Sequence, residues 1–416
     1  MKTYYPPSDK SITIRALLLG AIADGFTVIK KPLICDDTIA AINCLKVLGV
    51  RFKISEDNIS VEGRGLKGLN PPLKALNAGE AGAVGRLLAG LLAGQTFPSK
   101  ITGAPSLRRR PMGRVAEPLN LMGARLKTYS GNLPLELKPA SLKGIKYTMP
   151  VASAQVKSAI LLAGLYADGV TVIKEIIPSR DHTERLLKYF GARLSRRGSA
   201  IILKPGNLKG RNLSIPGDIS AAAPFIAAAL LSGRELLVKN VGLNPTRMGM
   251  IRTLKKMGAV FKTTVKIASP DPMGDLLVLP SRIKGAVISE REVPAMIDEL
   301  PLLAVMAAAI GDKTIIKGVA ELRHKESDRI KSTMSMLESL GARAIYRAGT
   351  LEIKGPQRFR DGKVNTFKDH RIAMAAAVAA TIAKGHVEIR NPDCVNKSYP
   401  GFWKDFAKIF LCLQRI

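Results

Sequence analysis

Residues 157–173 read Lys157-Ser158-Ala159-Ile160-Leu161-Leu162-Ala163-Gly164-Leu165-Tyr166-Ala167-Asp168-Gly169-Val170-Thr171-Val172-Ile173. An Ala/Leu-rich run ending in glycine passes into a β-branched run, which predicts a helix followed by a strand. A polar loop and a second amphipathic helix come next, closing at Phe190-Gly191-Ala192. The same unit recurs along the chain. Residues 15–25 precede Thr27-Val28-Ile29, and Leu48-Gly49-Val50 closes that copy. Residues 86–94 lead to Met122-Gly123-Ala124, residues 222–233 to Met257-Gly258-Ala259, and residues 302–311 to Leu340-Gly341-Ala342. A last copy, residues 372–385, precedes Val387-Glu388-Ile389. The first-helix glycines at 25, 94, 169, 233, 311 and 385 lie 64 to 78 residues apart. That spacing is too long for a solenoid repeat and suits a β-α-β-α-β-β unit of an α/β (α+β) protein. Six units predict two domains of three repeats each. Each of these glycines is expected at a helix C′ position, where a positive φ is wanted.

The composition excludes several classes of protein. The chain has 416 residues, 46% of them hydrophobic, so it can bury a real core and is no disordered basic tail. With 64 Lys+Arg against 33 Asp+Glu the net charge is +31, which predicts anionic partners without saying whether they are polymers or small molecules. Only 5% of residues are aromatic, which argues against a single-stranded nucleic-acid binder that stacks bases on rings. Cys35, Cys44, Cys394 and Cys412 form no CxxC pair and no zinc spacing, so reduced thiols and no metal site are expected. The start, Met1-Lys2-Thr3-Tyr4-Tyr5-Pro6-Pro7, has no apolar signal core. The longest apolar runs, 219–231 and 372–383, are too short to span a bilayer and read as buried core helices. A cytoplasmic protein without a membrane partner follows.

Charged and polar residues gather at the starts of the Ala/Leu helices: Lys10, Ser11 and Arg15; Glu80, Gly82 and Arg86; Ser153, Gln155 and Lys157; Asp218 and Ser220; Asp298 and Glu299; Asp369, His370 and Arg371. A helix start offers unpaired N–H groups and the positive end of the dipole, a ready anion site. Ordinary capping explains Asp218, Ser220 and Asp298. It does not explain Lys10, Arg15, Arg86 and Arg371, cations where the dipole disfavours them, and these point to a function in binding anions.

The residues resemble a known family. Asp9-Lys10-Ser11 with Arg15, the run 103–112 (Gly-Ala-Pro-Ser-Leu-Arg-Arg-Arg-Pro-Met), Ser153-Ala154-Gln155-Val156-Lys157 and Ser179-Arg180-Asp181-His182 are similar to motifs of the 5-enolpyruvylshikimate-3-phosphate synthases. So are Pro216-Gly217-Asp218, Ile297-Asp298-Glu299-Leu300-Pro301, Arg323-His324-Lys325-Glu326-Ser327-Asp328-Arg329 and Asp369-His370-Arg371, all in family order. The resemblance implies a two-domain inside-out α/β barrel of six repeats, with domains at 9–218 and at 1–8 plus 219–416 and the active site in the cleft between them. It implies transfer of the enolpyruvyl group of phosphoenolpyruvate to the 5-hydroxyl of shikimate 3-phosphate, with release of phosphate and without metal or organic cofactor. Partners would be those two small molecules, with no nucleic acid, and the enzyme a monomer.

By the same resemblance Asp298 and Glu326 are the acid/base pair, Glu326 donating to the methylene carbon and Asp298 meeting the attacking hydroxyl, with Lys10 reaching the reacting centre. Lys10, Ser11, Arg15, Ser153, Ala154, Gln155, Ser179, Arg180, Asp298 and Lys325 would hold shikimate 3-phosphate. Lys10, Gly82, Arg110, Gln155, Arg329, His370, Arg371 and Lys397 would hold phosphoenolpyruvate. Both substrates are multiply anionic, so clamping Arg and Lys are what the chemistry requires. The chain departs from the family at Thr13-Ile14, at Ala83, Gly85 and Ala154, and at Glu80, a carboxylate in the phosphoenolpyruvate loop. Residues 1–8 are expected to give only a stub of strand to the second domain.

Plainer readings stand beside these. Glu326 and Arg329 also fit an i,i+3 pair on a solvated helix face. Arg108-Arg109-Arg110 fits a surface run, His370 a capping histidine and Lys397 a surface lysine. A sister transferase acting on UDP-N-acetylglucosamine would share the fold, but it uses a reactive cysteine in the loop where this chain has 108–111, and no cysteine lies between Cys44 and Cys394. A basic, non-catalytic binding protein on the same fold is the reading from a different class.

Overall fold

The computed structural model describes residues 1–410. The chain forms two compact units. One comprises residues 8–215 and 269–271, and the other residues 1–7, 216–268 and the chain from Pro272 onward. The chain crosses after Pro7 and after Ile215, so Asp218 belongs with the second unit, three residues ahead of the boundary expected from sequence.

The first unit holds three four-stranded sheets. Their strand orders are Asn212–Ser214, Phe26–Lys30, Asn58–Glu62, Arg51–Ile54; then Leu76–Asn77, Ser99–Thr102, Asn132–Lys138, Arg125–Tyr129; then Lys146–Met149, Thr171–Glu175, Ala200–Leu203, Leu194–Arg197. In each, the first pair is parallel and the other two pairs are antiparallel. The second unit repeats this wiring twice. Lys2–Tyr4 pairs parallel with Leu236–Gly242, which meets Met273–Leu279 and then Val260–Ile267. Val287–Ile288 pairs parallel with Asp312–Ile316, which meets Thr350–Gly355 and then Ile345–Arg347. Among the described residues a further parallel pair, Arg360–Asn365 with Lys384–Arg390, stands alone. The amino-terminal segment thus gives the second unit one short strand of three residues, paired along its length.

Between the strands run helices of two kinds. Lys10–Ala21, Gly82–Ala93 and Ala154–Gly164 in the first unit carry their polar residues in the first two turns and are buried on nearly every side beyond them. Ile219–Leu231, Leu300–Ala309 and His370–Ile382 match them in the second. Small residues let such helices approach closely: a Cβ on Gly90 would lie 2.2 Å from the Ala159 carbonyl oxygen. Each unit has its own hydrophobic core built around these helices.

The second helices are amphipathic, and five of them end identically. After Leu48, Met122, Phe190, Met257 and Leu340, a glycine takes a positive φ of 81° to 104°. The next residue donates back to the carbonyl five positions earlier, as Ala192 does to Leu187 and Ala342 to Leu337. This is the Schellman cap, and it explains the recurring Gly-Ala and Gly-Val. The C′ expectation for the first helices fails in contrast. Gly233 alone fits it, while Gly94 has φ −91°, Gly311 follows its helix without a positive φ, and Gly25, Gly169 and Gly385 occupy turns or strand starts beyond the helix end. No described helix is long and apolar enough to cross a membrane.

Candidate active site

In the first unit, the cations at the helix starts reach side chains and carbonyls that offset the unfavourable dipole. Lys10 Nζ lies 2.8 Å from Asp37 Oδ2. Buried Arg15 donates from Nε to Thr183 Oγ1 (2.7 Å), from Nη2 to Ser158 Oγ (3.2 Å) and from Nη1 to the Ser11 carbonyl (3.0 Å). Arg86 donates to Gln155 Oε1 at 2.6 Å and to the Pro111 carbonyl at 3.2 Å. The start of helix Gly82–Ala93 carries no Cβ at Gly82. One placed there would lie 2.8 Å from Arg86 Nη1 and 3.2 Å from Arg110 Nη1, so the bare backbone and two guanidinium groups share one spot. Arg108 and Arg109 are exposed and Arg110 is half-buried, which separates it from a plain surface run. Glu80 accepts a hydrogen bond from Ser106 Oγ at 2.8 Å.

Ser153 caps helix Ala154–Gly164 by accepting from the Val156 N–H, and it, Ala154 and Gln155 are half-buried. Ser179 is buried, and three of its groups are held. Its N–H (2.9 Å) and hydroxyl (2.7 Å) donate to Glu175 Oε1, and its carbonyl accepts from Lys157 Nζ at 3.3 Å. Lys157 is fully buried between Glu175 (2.9 Å) and Glu184 (2.7 Å), so it supports Ser179 from behind, and the next residue, Arg180, is half-buried. Burial pushes the Glu184 carboxyl up despite Lys157 beside it. His182, buried, shares a 2.8 Å contact between its Nδ1 and Asp271 Oδ2.

The second unit centres on Arg329. Its guanidinium, 1% exposed, meets three carboxylates: Nε to Asp369 Oδ2 (2.8 Å), Nη1 to Asp298 Oδ1 (2.9 Å) and Nη2 to Glu326 Oε2 (2.5 Å). Burial opposes its charge, but Asp369, Glu326 and Asp298 outweigh burial and raise its pKa. The solvated-pair reading of Glu326 and Arg329 is therefore excluded. Arg329, expected at the phosphoenolpyruvate site, is enclosed by three carboxylates, which compensate its desolvation. Exposure sorts the three: Asp369 is at 0%, Asp298 at 18% and Glu326 at 24%, so only the last two can meet a ligand. Lys325 Nζ stands 3.9 Å from Asp298 Oδ1.

Asp369 also caps helix His370–Ile382, accepting from the Arg371 N–H at 2.9 Å, and His370 is buried in the first turn. Arg371 Nη1 donates to the Ser220 carbonyl at 3.0 Å. Lys397 Nζ donates to the Lys368 carbonyl at 3.2 Å. Ser220 is fixed in turn: Arg247 Nη2 donates to its Oγ (2.7 Å) and to Asp218 Oδ1 (2.8 Å), and its hydroxyl bonds Glu299. Sequence reasoning overlooked Asp37, Glu175 and Arg247, which orient the expected residues. Nothing in local sequence marks them, since the partner lies 27 residues away for Asp37 and Arg247 or, for Glu175 and Ser179, across a loop. Among the described residues no group of three or more His, Cys, Asp or Glu is arranged to hold a metal ion.

Comparison with known proteins is consistent across the whole chain. The family model for EPSP synthase (3-phosphoshikimate 1-carboxyvinyltransferase) matches residues 3–406. A 3-phosphoshikimate 1-carboxyvinyltransferase of Thermoanaerobacter sp. is 45% identical over 96% of this chain and 95% of its own. One from Coxiella burnetii is 46% identical over 95% and 92%. The solved EPSP synthase of Acinetobacter baumannii superposes with a TM-score of 0.87 at 38% identity, covering 98% of this chain and 95% of that one. The enolpyruvyl transferase NikO of Streptomyces tendae shares the mixed α/β fold alone, with a TM-score of 0.77 at 15% identity over 98% of this chain and 94% of its own. A match that spans nearly every residue, with Asp298, Glu326 and Arg329 gathered in one network, places the chain in the EPSP synthase (3-phosphoshikimate 1-carboxyvinyltransferase) family.

Proposed function

We propose that this protein transfers the enolpyruvyl group of phosphoenolpyruvate to the 5-hydroxyl of shikimate 3-phosphate and releases inorganic phosphate. The observation that carries the reading is that one buried guanidinium, Arg329, holds both Asp298 and Glu326 while leaving each partly open. The reaction needs two such groups. Asp298 takes the proton of the 5-hydroxyl as its oxygen bonds to C2 of phosphoenolpyruvate, and Glu326 gives a proton to the methylene carbon. Phosphate then leaves C2 with the proton held by Asp298, and the methyl carbon returns a proton to the Glu326 carboxylate, which restores the vinyl double bond and both groups. Arg329 acts by fixing the two carboxylates.

Lys10, Ser11, Arg15, Ser153, Ala154, Gln155, Ser179, Arg180 and Lys325 bind shikimate 3-phosphate in this reading. Gly82, Arg110, Gln155, Arg329, His370, Arg371 and Lys397 bind phosphoenolpyruvate, with Lys10 touching both. The finer architecture, an inside-out barrel of six repeats, is supported by five sheets with one wiring. The reading also takes the enzyme to be a cytoplasmic monomer that needs no metal, so chelators should leave its rate unchanged. The test is release of inorganic phosphate from the purified protein. Release is expected with both substrates and not with either alone; no release with both overturns the reading.

A further inference from the structure

Helix Ile219–Leu231 contains Pro224, buried in the middle of an otherwise Ala-rich run. A proline inside a helix has no N–H for the carbonyl four residues earlier, and its ring crowds that carbonyl outward. The carbonyl in question is that of Ser220, and it accepts the 3.0 Å hydrogen bond from Arg371 Nη1. Every other group of Ser220 is already engaged: its N–H with Asp218 Oδ1 at 2.8 Å, its hydroxyl with Arg247 and Glu299. The carbonyl is the group left for Arg371 to find, and it stands at a fixed point.

We infer that Pro224 is a positioning residue. By withholding a helical hydrogen bond it turns the Ser220 carbonyl out, and that carbonyl sets the direction of the Arg371 guanidinium. The physics favours this over a purely structural role. An alanine here would suit the helix better by propensity, and every neighbour from Ala221 to Ala223 is already alanine. The proline therefore sacrifices local helix stability, and the visible return is a carbonyl aimed at a cation. The inference rests on the reading above in one respect, that Arg371 binds phosphoenolpyruvate.

The test is Pro224→Ala in the full-length enzyme. The KM for phosphoenolpyruvate should rise about tenfold, the size of one hydrogen bond to a charged group, while the KM for shikimate 3-phosphate holds and the unfolding midpoint does not fall. In an Arg371→Lys background, where the anchored fork is already gone, the same change should leave the KM for phosphoenolpyruvate unaltered. An unchanged KM in the single variant overturns the inference. So does an undiminished tenfold effect in the Arg371→Lys background, or a proportional rise for both substrates. Amide exchange supplies a readout independent of activity: the new N–H of residue 224 should be protected by the Ser220 carbonyl, and fast exchange there also overturns it. An enzyme that releases no phosphate at all would sink the proposed function while this exchange result still decides the role of Pro224.

Discussion

Arg329 Nε donates to Asp369 Oδ2 at 2.8 Å, with both side chains sealed from solvent. Asp369 is also the cap of helix His370–Ile382 and takes the Ser327 hydroxyl at 3.0 Å. One carboxylate thereby joins a helix start to the guanidinium that carries the two candidate acid/base groups. Arg329→Gln would leave Asp369 buried without its countercharge, and such breaks cost about 3–5 kcal/mol. The unfolding midpoint in denaturant should fall accordingly. Arg329→Lys should lose less stability yet still lose turnover, because one ammonium cannot span three carboxylates that the planar fork spans. Equal activity for Arg329→Lys and the parent would show that the geometry of the network is dispensable.

Glu326→Gln keeps the size and a hydrogen-bonding oxygen for Arg329 but has no proton to give. Phosphate release should fall by about 10²–10⁴-fold, the range of a lost general acid. Binding of shikimate 3-phosphate, followed by titration calorimetry, should survive. Loss of binding with no separate loss of turnover would make Glu326 a structural partner of Arg329 and nothing more.

Gly82→Ala tests the shared spot between backbone and cations. The new Cβ meets the ends of Arg86 and Arg110, which are flexible, so the unfolding midpoint should hardly move. Displacing Arg86 disturbs its 2.6 Å bond to Gln155 as well. The KM for phosphoenolpyruvate should rise about tenfold, roughly the loss of one charged hydrogen bond. An unchanged KM, measured by initial rates at saturating shikimate 3-phosphate, would remove Gly82 from the site.

Much of the fold was legible because its signals are local. Ala/Leu runs, β-branched strands and Gly-Ala closings are written in consecutive residues, and the five Schellman caps follow from them. Where the first-helix glycines were misplaced, the signal was equally local but ambiguous: a glycine near a helix end serves a C′ position or the turn beyond it. The site was legible at the level of residue type and not of direction. Lys157 stands in sequence like Lys10, near the start of an inner helix. Yet Lys10 remains near the surface with Asp37, whereas Lys157 is engulfed between Glu175 and Glu184. The difference lies in which strand and helix pack above each one. Arg329 reads similarly as a surface partner of Glu326 until Asp369, 40 residues on, closes over it.

Part of the +31 charge has a purely structural task, and pH can expose it. Asp275 receives Lys239 Nζ and Lys266 Nζ at 2.8 Å each and the Asn240 N–H at 3.0 Å. Burial works against its ionisation, but the two ammonium groups and the amide prevail and hold its pKa near 2, against an ordinary 3.8. A depressed carboxyl pKa stabilises the fold above the unfolded value, and the gain is lost as pH falls through the folded one. Solvent screens the two partly exposed lysines, so the gain is on the order of 1 kcal/mol. Asp275→Asn should therefore be less stable than the parent by about that amount at pH 7. The gap should narrow as pH drops from about 4 toward 2, where the parent carboxyl takes up its proton. Denaturant midpoints of both proteins across this range measure the gap. A difference that stays constant with pH would mean that Asp275 acts through packing and not through its charge.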